Sequence, residues 1–179
     1  MRKWIILLCA LGFTALADQI AKHWVVANLA LYESVQPISA LAPLFQLTRS
    51  SNTGAAFGIL PLAGDVLLVM ALAIIAGMLW YFRSVSEDSR LAPVAIGMII
   101  GGALGNIADR MLHGHVIDFI HYQIPNLISN VSNLADHAIV LGVMLIVAES
   151  LWRERRASTR RGADEGSING ASAENGGFR

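Results

Sequence analysis

The chain has 179 residues, of which 55% are apolar and 15% are charged, and its formal net charge is zero. A mean hydropathy of +0.55 is too high for an ordinary soluble domain. The balanced charge excludes the basic surface of a nucleic-acid-binding protein. A single cysteine, Cys9, excludes an internal disulfide and a zinc site built from cysteines.

Four apolar segments approach the roughly 20 residues that a membrane-spanning helix needs. In chain order they cover residues 4–26, 66–82, 91–107 and 138–152, and we expect the fourth to begin earlier, near Leu134, with Asp136 in its first turn. In the third segment, Gly97, Gly101 and Gly105 recur every four residues, which is typical of helices that pack closely in membranes. The sequence therefore predicts an all-α membrane protein with four transmembrane helices.

The distribution of Lys and Arg predicts the orientation, because cytoplasmic loops of membrane proteins carry an excess of both. On the outer side of the predicted spans, the chain has only Lys22, Arg49 and Arg110. We therefore expect both termini and the loop at residues 83–90 to be cytoplasmic. The residues that collect on the cytoplasmic side are Arg2, Lys3, Arg83, Arg90, Arg153, Arg155, Arg156, Arg160 and Arg161.

The first span also imitates a cleavable signal peptide. Arg2 and Lys3 precede an apolar run that leads to Ala15-Leu16-Ala17, a pattern of small residues that signal peptidases cut. The apolar character continues past this point to residue 26, which favours a helix that is retained.

Two polar-flanked segments are expected on the outer side. Residues 28–62 contain three prolines, an alternating stretch at 44–48 and the turn Asn52-Thr53-Gly54, which predicts a small extracytoplasmic β element. Residues 108–133 form an outward cap, for which we expect a short interfacial helix. Residues 1–152 thus form one membrane domain, and residues 153–179, rich in Gly, Ser and charge, are predicted to be a disordered cytoplasmic tail.

Four aspartates fall at the outer ends of the spans: Asp18 in the first span, and Asp109, Asp118 and Asp136 around the third and fourth. Each acid alone has a structural interpretation, because Asp136 suits a helix start and Asp18 lies four residues before Lys22, as in a helical ion pair. A helix start and an ion pair do not require four carboxylates at one depth. Acids near a bilayer are costly and usually functional.

A pair of nearby carboxylates shares one proton. The ionised member can then take a proton from water while the protonated member donates to a carbonyl oxygen, which hydrolyses a peptide without a covalent intermediate.

Other chemistries have weaker support. A zinc protease would need His-Glu-x-x-His, which the sequence lacks. A Ser–Lys hydrolase could pair Lys22 with Ser50 or Ser51, but no Gly-x-Ser-x-Gly motif accompanies them. A metal or proton transporter would combine the aspartates with His113, His115, His121 and His137.

Five polar motifs follow one another on the outer side of the spans. They are Asp18-Gln19 with Lys22, NTGAAF at 52–57, GGALGNIADR at 101–110, GHVIDF at 114–119 and NLAD at 133–136. Over residues 4–152, this series resembles the lipoprotein signal peptidases, the signal peptidase II family of bacterial membrane aspartyl proteases.

The resemblance implies that Asp118 and Asp136 are the catalytic pair. Our own hypothesis for Arg110 is that it pairs with Asp109 or holds a backbone carbonyl; in the first case Arg110 would keep Asp109 ionised and outside the catalytic pair. The substrate-binding or supporting positions that the resemblance implies are Asp18, Lys22, Asn52, Gly54, Asn106, Asp109, Arg110, Asn133 and Ala135.

The implied substrate is a prolipoprotein whose cleavage-site cysteine carries diacylglycerol, cut on the amino side of that cysteine. The resemblance implies a monomer of the bacterial inner membrane, in contact with lipids, with no cofactor, no metal and no nucleic acid. The sequence departs from the family at Ser132, where Phe is usual, and at His137, where a small residue is usual. These departures leave open a non-catalytic lipopeptide-binding paralogue, as well as the transporter.

Overall fold

The computed structural model describes residues 1–42, 44–54, 63–124 and 128–175, and their side chains except at 63, 128 and 157–175. The helices are α1 (Arg2–Asn28), α2 (Ala63–Ser84), α3 (Leu91–His113) and α4 (Leu134–Asn175). The strands are β1 (Ser34–Val35), β2 (Phe45–Asn52), β3 (Val116–Ile124) and β4 (Ile128–Ser132).

In the described part of the chain, four helices are long and apolar enough to cross a membrane, which confirms the four predicted spans. The helix α3 is central, because 72% of its most apolar window is buried, against 17% in α1, 6% in α2 and 11% in α4. The outer helices therefore expose apolar side chains on the faces turned away from α3, as a protein surrounded by lipid does. As expected, α4 begins at Leu134 with Asp136 in its first turn.

The glycines of α3 allow α1 to approach closely, as their spacing predicted. A Cβ atom on Gly101 would lie 2.6 Å from the carbonyl oxygen of Leu11, and one on Gly97 would meet the backbone of α1 at the same distance. A Cβ atom on Gly105 would lie 2.6 Å from the Oδ2 atom of Asp18. The last of these glycines therefore makes room for a buried carboxylate as well as for a helix.

The two outer segments form one antiparallel sheet in the order β1-β2-β3-β4. The β element predicted within residues 28–62 is confirmed by β1 and β2. The interfacial helix predicted within 108–133 is wrong, since β3 and β4 occupy most of that segment. The cause is local: Gly114 ends α3 in the left-handed conformation at φ 75°, and the β-branched and aromatic residues that follow favour a strand. A 3₁₀ turn, Ser39–Leu41, lies in the described part of the first outer segment instead.

The helix α4 continues through the boundary predicted between residues 152 and 153. Arg153 is helical, and its Nη2 atom lies 2.6 Å from Oε1 of Glu149, one turn earlier. Good helix formers and an i,i+4 ion pair extend the helix here, and the disordered tail stays a prediction. Residues 176–179 of the predicted tail lie outside the described residues.

We expect Gly101→Ala to destabilise the protein by about 1–3 kcal/mol, because the added methyl group would meet the rigid backbone of α1. Gly77→Ala in α2 is the matched control, since a Cβ atom there has nothing within 4 Å. Thermal unfolding in detergent, followed by tryptophan fluorescence, measures both. Equal stability of the two variants would contradict the close packing of α1 on α3.

Candidate active site

Polar side chains from α1, α3, β3 and the start of α4 meet where these elements adjoin the sheet. They are buried although they are charged or carry amides, so each must find a partner inside the protein. The buried members are Asp18, Lys22, Asn106, Asp109, Asp118 and Asn133.

The ammonium group of Lys22 lies at the centre of this cluster. Its Nζ atom is 2.7 Å from Oδ2 of Asp18 and 2.8 Å from Oδ2 of Asp109. It also donates a hydrogen bond of 3.0 Å to Oδ1 of Asn106. These three contacts match the three donors of an ammonium group, so Lys22 is engaged with two acids and an amide and not with a serine.

The expected pairing of Arg110 with Asp109 is wrong. Consecutive residues of a helix point in different directions, and Asp109 faces Lys22 on α1 instead. The Nη1 atom of Arg110 donates to the carbonyl oxygen of Asn106 at 3.3 Å, as the alternative prediction had it. Its buried Nε atom has no hydrogen-bond partner among the described residues.

The two acids that bind Lys22 also hold the backbone of the neighbouring elements. Oδ1 of Asp18 accepts from the backbone N–H of Ala135 in α4 at 2.9 Å. Oδ2 of Asp109 accepts from the backbone N–H of Ile117 in β3 at 3.1 Å. The cluster thus fixes the residues adjacent in sequence to Asp136 and Asp118.

Asp118 and Asp136 lie on either side of Asn133. The Nδ2 atom of Asn133 donates to Oδ1 of Asp118 at 2.6 Å, and its Oδ1 accepts from the backbone N–H of Asp136 at 2.9 Å. Asn52 donates to Oδ2 of Asp118 at 2.8 Å, and Asn106 donates to Oδ1 of Asp136 at 2.8 Å. The structure therefore brings both predicted catalytic residues and all three predicted asparagines into one network.

Burial raises the pKa of the Asp118 carboxyl to about 6. The hydrogen bonds from Asn52 and Asn133 oppose this rise because they favour the ionised form, and the negative charge of Asp136 adds to it. The charge of Asp136, on the other side of Asn133, thus affects the proton of Asp118.

Gly54 supports Asn52. It has φ 78°, and its backbone N–H donates to Oδ1 of Asn52 at 2.9 Å. This turn leaves the amide nitrogen of Asn52 directed at Asp118. The motif's remaining residues, 55–57, lie outside the described residues.

A cavity of about 580 Å³ adjoins Asp136. One part of its wall is polar and the other is apolar, and the apolar part belongs largely to α4. Both positions that depart from the family, Ser132 and His137, belong to the wall. The complete lining is Asn52, Tyr122, Asn130, Val131, Ser132, Asp136, His137, Val140, Leu141 and Met144.

Tyr122 is a wall residue that the sequence analysis missed. Its hydroxyl oxygen lies 3.2 Å from Nε2 of His137, and the Nδ1 atom of His137 donates to the carbonyl oxygen of Asn133 at 2.7 Å. The signal was present, because residues two and four apart in a strand share a face, so Tyr122 faces the same side as Asp118. The sequence analysis did not predict β3 as a strand, so the shared face of Asp118 and Tyr122 could not be recognised.

Among the residues whose side chains are described, no group of three or more His, Cys, Asp or Glu is arranged to hold a metal ion. His121 instead contacts Gln46, Thr48 and Ser129 within the sheet, each at 2.9 Å.

A family model for signal peptidase (SPase) II matches residues 10–152. The chain belongs to the signal peptidase II family. The lipoprotein signal peptidase of Methylocella silvestris is 41% identical over 153 residues, covering 83% of this chain and 86% of its own. That of Bacillus subtilis is 39% identical over 137 residues, covering 75% and 86%.

Two solved structures, described as a bacterial membrane enzyme determined by the in meso method, share the fold of this signal peptidase II family member. One has a TM-score of 0.71 at 28% identity and covers 81% of this chain and 92% of its own. The other has a TM-score of 0.68 at the same identity and covers 81% and 87%. The helices and the sheet that hold the acids thus belong to a known membrane-enzyme fold.

We expect Lys22→Met to destabilise this signal peptidase II family member by about 3–5 kcal/mol, because it leaves two buried carboxylates without their cation. Adding Asp109→Asn to Lys22→Met should recover part of the loss, since it removes one of the uncompensated charges. Unfolding midpoints of the two single variants and the double variant, measured in detergent, test this coupling. Strictly additive losses would contradict it.

Proposed function

We propose that this protein is an aspartyl endopeptidase that removes signal peptides from prolipoproteins. The observation that carries the proposal is Asn133, which touches both Asp118 and Asp136 beside an open cavity. The lipoprotein signal peptidases that resemble the chain at 39–41% identity support the same activity.

The proposed reaction uses one proton shared by the two carboxyls. The ionised carboxylate takes a proton from a water molecule as the water oxygen attacks the scissile carbonyl, while the protonated carboxyl donates to the carbonyl oxygen. The tetrahedral intermediate, a gem-diol, then collapses: the C–N bond breaks and the proton taken from water passes to the leaving amine. One diol hydroxyl becomes the new carboxyl's carbonyl oxygen by returning its proton to the carboxylate that had protonated it. The pair returns to its singly protonated state, and no bond forms between enzyme and substrate.

The shape of the cavity suits a lipid-modified peptide. Asp136 and Asn52 lie in its polar wall, while Val140, Leu141 and Met144 of α4 supply apolar surface that is half-exposed on the outside of the bundle. A diacylglyceryl group on the cleavage-site cysteine would lie along this surface, with the peptide bond on its amino side at the carboxyls. Arg110 is proposed to support the site through Asn106, whose carbonyl oxygen it holds and whose side chain donates to Asp136.

The proposed location is the bacterial cytoplasmic membrane, with both termini in the cytoplasm and the acids near the outer leaflet. Lys3, Arg83, Arg90 and Arg153 lie at the end of the helices opposite to Asp118 and the sheet, which is the asymmetry that sets orientation in membranes. We further propose that the protein acts as a monomer, in contact with membrane lipids and without a cofactor.

We expect Asp118→Asn and Asp136→Asn each to lower kcat by at least about a hundredfold, the lower end of general acid–base contributions. The asparagine keeps the shape of the side chain but cannot exchange a proton. Cleavage of a diacylglyceryl-modified prolipoprotein peptide by the purified protein measures the loss. Asp65→Asn is the matched control, an exposed aspartate in the first turn of α2.

Substantial cleavage by either variant of the pair would overturn the assignment. Wild-type protein that binds the lipidated peptide but does not cut it would favour the non-catalytic paralogue.

We expect Asn52→Ala to move the alkaline limb of the pH profile of kcat/KM to higher pH, by about one pH unit. Burial already raises the pKa of Asp118 to about 6, and the hydrogen bond from Asn52 opposes that rise. Without this hydrogen bond the pKa rises further, so the pair keeps its shared proton to higher pH.

Asn130→Ala is the control for this experiment, because Asn130 lines the same cavity but donates no hydrogen bond to Asp118. Its alkaline limb should coincide with that of the wild type. A limb that stays in place in Asn52→Ala would show that Asp118 does not set it.

A further inference from the structure

A groove of about 1120 Å³ lies at the other end of the molecule, between the connection from α2 to α3 and residues 148–156 of α4. Arg90, Arg153 and Arg156 line it together with Trp152. Nothing in the proposed peptidase reaction uses this groove.

The charges around the groove are unequally paired. Glu149 is satisfied, because Arg153 reaches its Oε1 atom from Nη2 at 2.6 Å and from Nε at 3.0 Å, and Ser89 donates to the same oxygen at 2.9 Å. Arg90 and Arg156 form no ion pair with a carboxylate of the described side chains, although Asp88 also lines the groove. Of the three guanidinium groups that line the groove, two thus have no carboxylate partner among the described side chains.

Trp152 places the groove at the boundary between membrane and water. Its side chain is 53% exposed near the end of the fourth span, where tryptophan is enriched in membrane proteins. The guanidinium of Arg156 stacks on the indole ring at 3.8 Å from its centroid. The apolar side chains of Leu91 and Leu151 are exposed near the same end of the helices as Trp152. Cationic groups therefore lie beside a surface suited to acyl chains.

The walls of the groove are fixed in the folded protein. Lys3 donates to the carbonyl oxygen of Val85 at 2.7 Å and lies 3.1 Å from Glu87, which holds the α2–α3 connection against α1. The Ser89–Glu149 hydrogen bond holds the same connection against α4. A bound group would therefore meet a site that is already shaped, which lowers the cost of binding.

We propose that this groove binds the phosphate headgroup of an anionic phospholipid of the cytoplasmic leaflet. Arg90 and Arg156 contact the phosphate, since a guanidinium matches phosphate geometry, and the acyl chains lie along the apolar side chains beside them. The proposal rests on the membrane orientation proposed above and not on the peptidase chemistry.

Native mass spectrometry of the full chain in detergent tests the proposal, with dioleoylphosphatidylglycerol titrated against dioleoylphosphatidylcholine. The wild type should retain the anionic lipid preferentially. The double variant Arg90→Gln/Arg156→Gln should weaken its binding about twenty-five-fold, because each basic residue near an anionic lipid contributes a factor of about five. The matched control is Arg2→Gln/Arg83→Gln, which removes two charges at the same end but outside the groove, and it should bind as the wild type does.

Three results would overturn the proposal: equal retention of the two lipids, equal weakening in the control variant, or displacement of the lipid by millimolar inorganic phosphate. The last would mean that free phosphate is the ligand. Cleavage by Arg90→Gln/Arg156→Gln, assayed without anionic lipid, should match the wild type and verifies folding. Since lipid retention is read without cleavage, a failure of the peptidase assignment would leave this result interpretable.

Discussion

The structure depends on one buried cation. An ammonium group held away from water is costly unless charges and hydrogen bonds surround it, and Lys22 is surrounded by two carboxylates and an amide. Asp18 uses its other oxygen to accept from the backbone N–H of Ala135, and the Oδ2 atom of Asp109 that contacts Lys22 also accepts from the backbone N–H of Ile117. The requirement to neutralise one lysine therefore determines where α4 and β3 lie relative to α1 and α3. It thereby also positions Asp136, which α4 carries, and Asp118, which β3 carries.

Neutral amides, and not cations, hold the acids proposed for catalysis. A cation in direct contact with Asp118 would favour its ionised form and lower its pKa, whereas the amides of Asn52 and Asn133 allow burial to keep that pKa raised. Asn106 separates the two regions, because its oxygen accepts from Lys22 while its nitrogen donates to Asp136. The site thus contains a charged part that fixes geometry and an uncharged frame around the pair that exchanges protons.

Much of this arrangement could be predicted from the sequence, because a membrane reduces the choice of structures. Apolar length identified the four spans, and the spacing of Gly97, Gly101 and Gly105 identified a packing face. The sheet was only half predicted. Five consecutive buried residues open β3, 116–120, which hides the alternation that marks a strand, and its partner β2 is remote in sequence. The wrong pairing of Asp109 with Arg110 has a related cause: charge complementarity between neighbours in sequence does not show which residues face each other across helices.

Asp18 and Lys22 lie one turn apart on the same helix, so they meet as soon as that helix forms. During synthesis α1 emerges from the ribosome and reaches the bilayer long before α3 has been translated. A lone lysine at this depth would oppose insertion of the nascent helix, but a lysine already neutralised by its neighbour enters at lower cost. Asp109 then completes the coordination when α3 arrives, so the order of translation and the order of charge neutralisation agree.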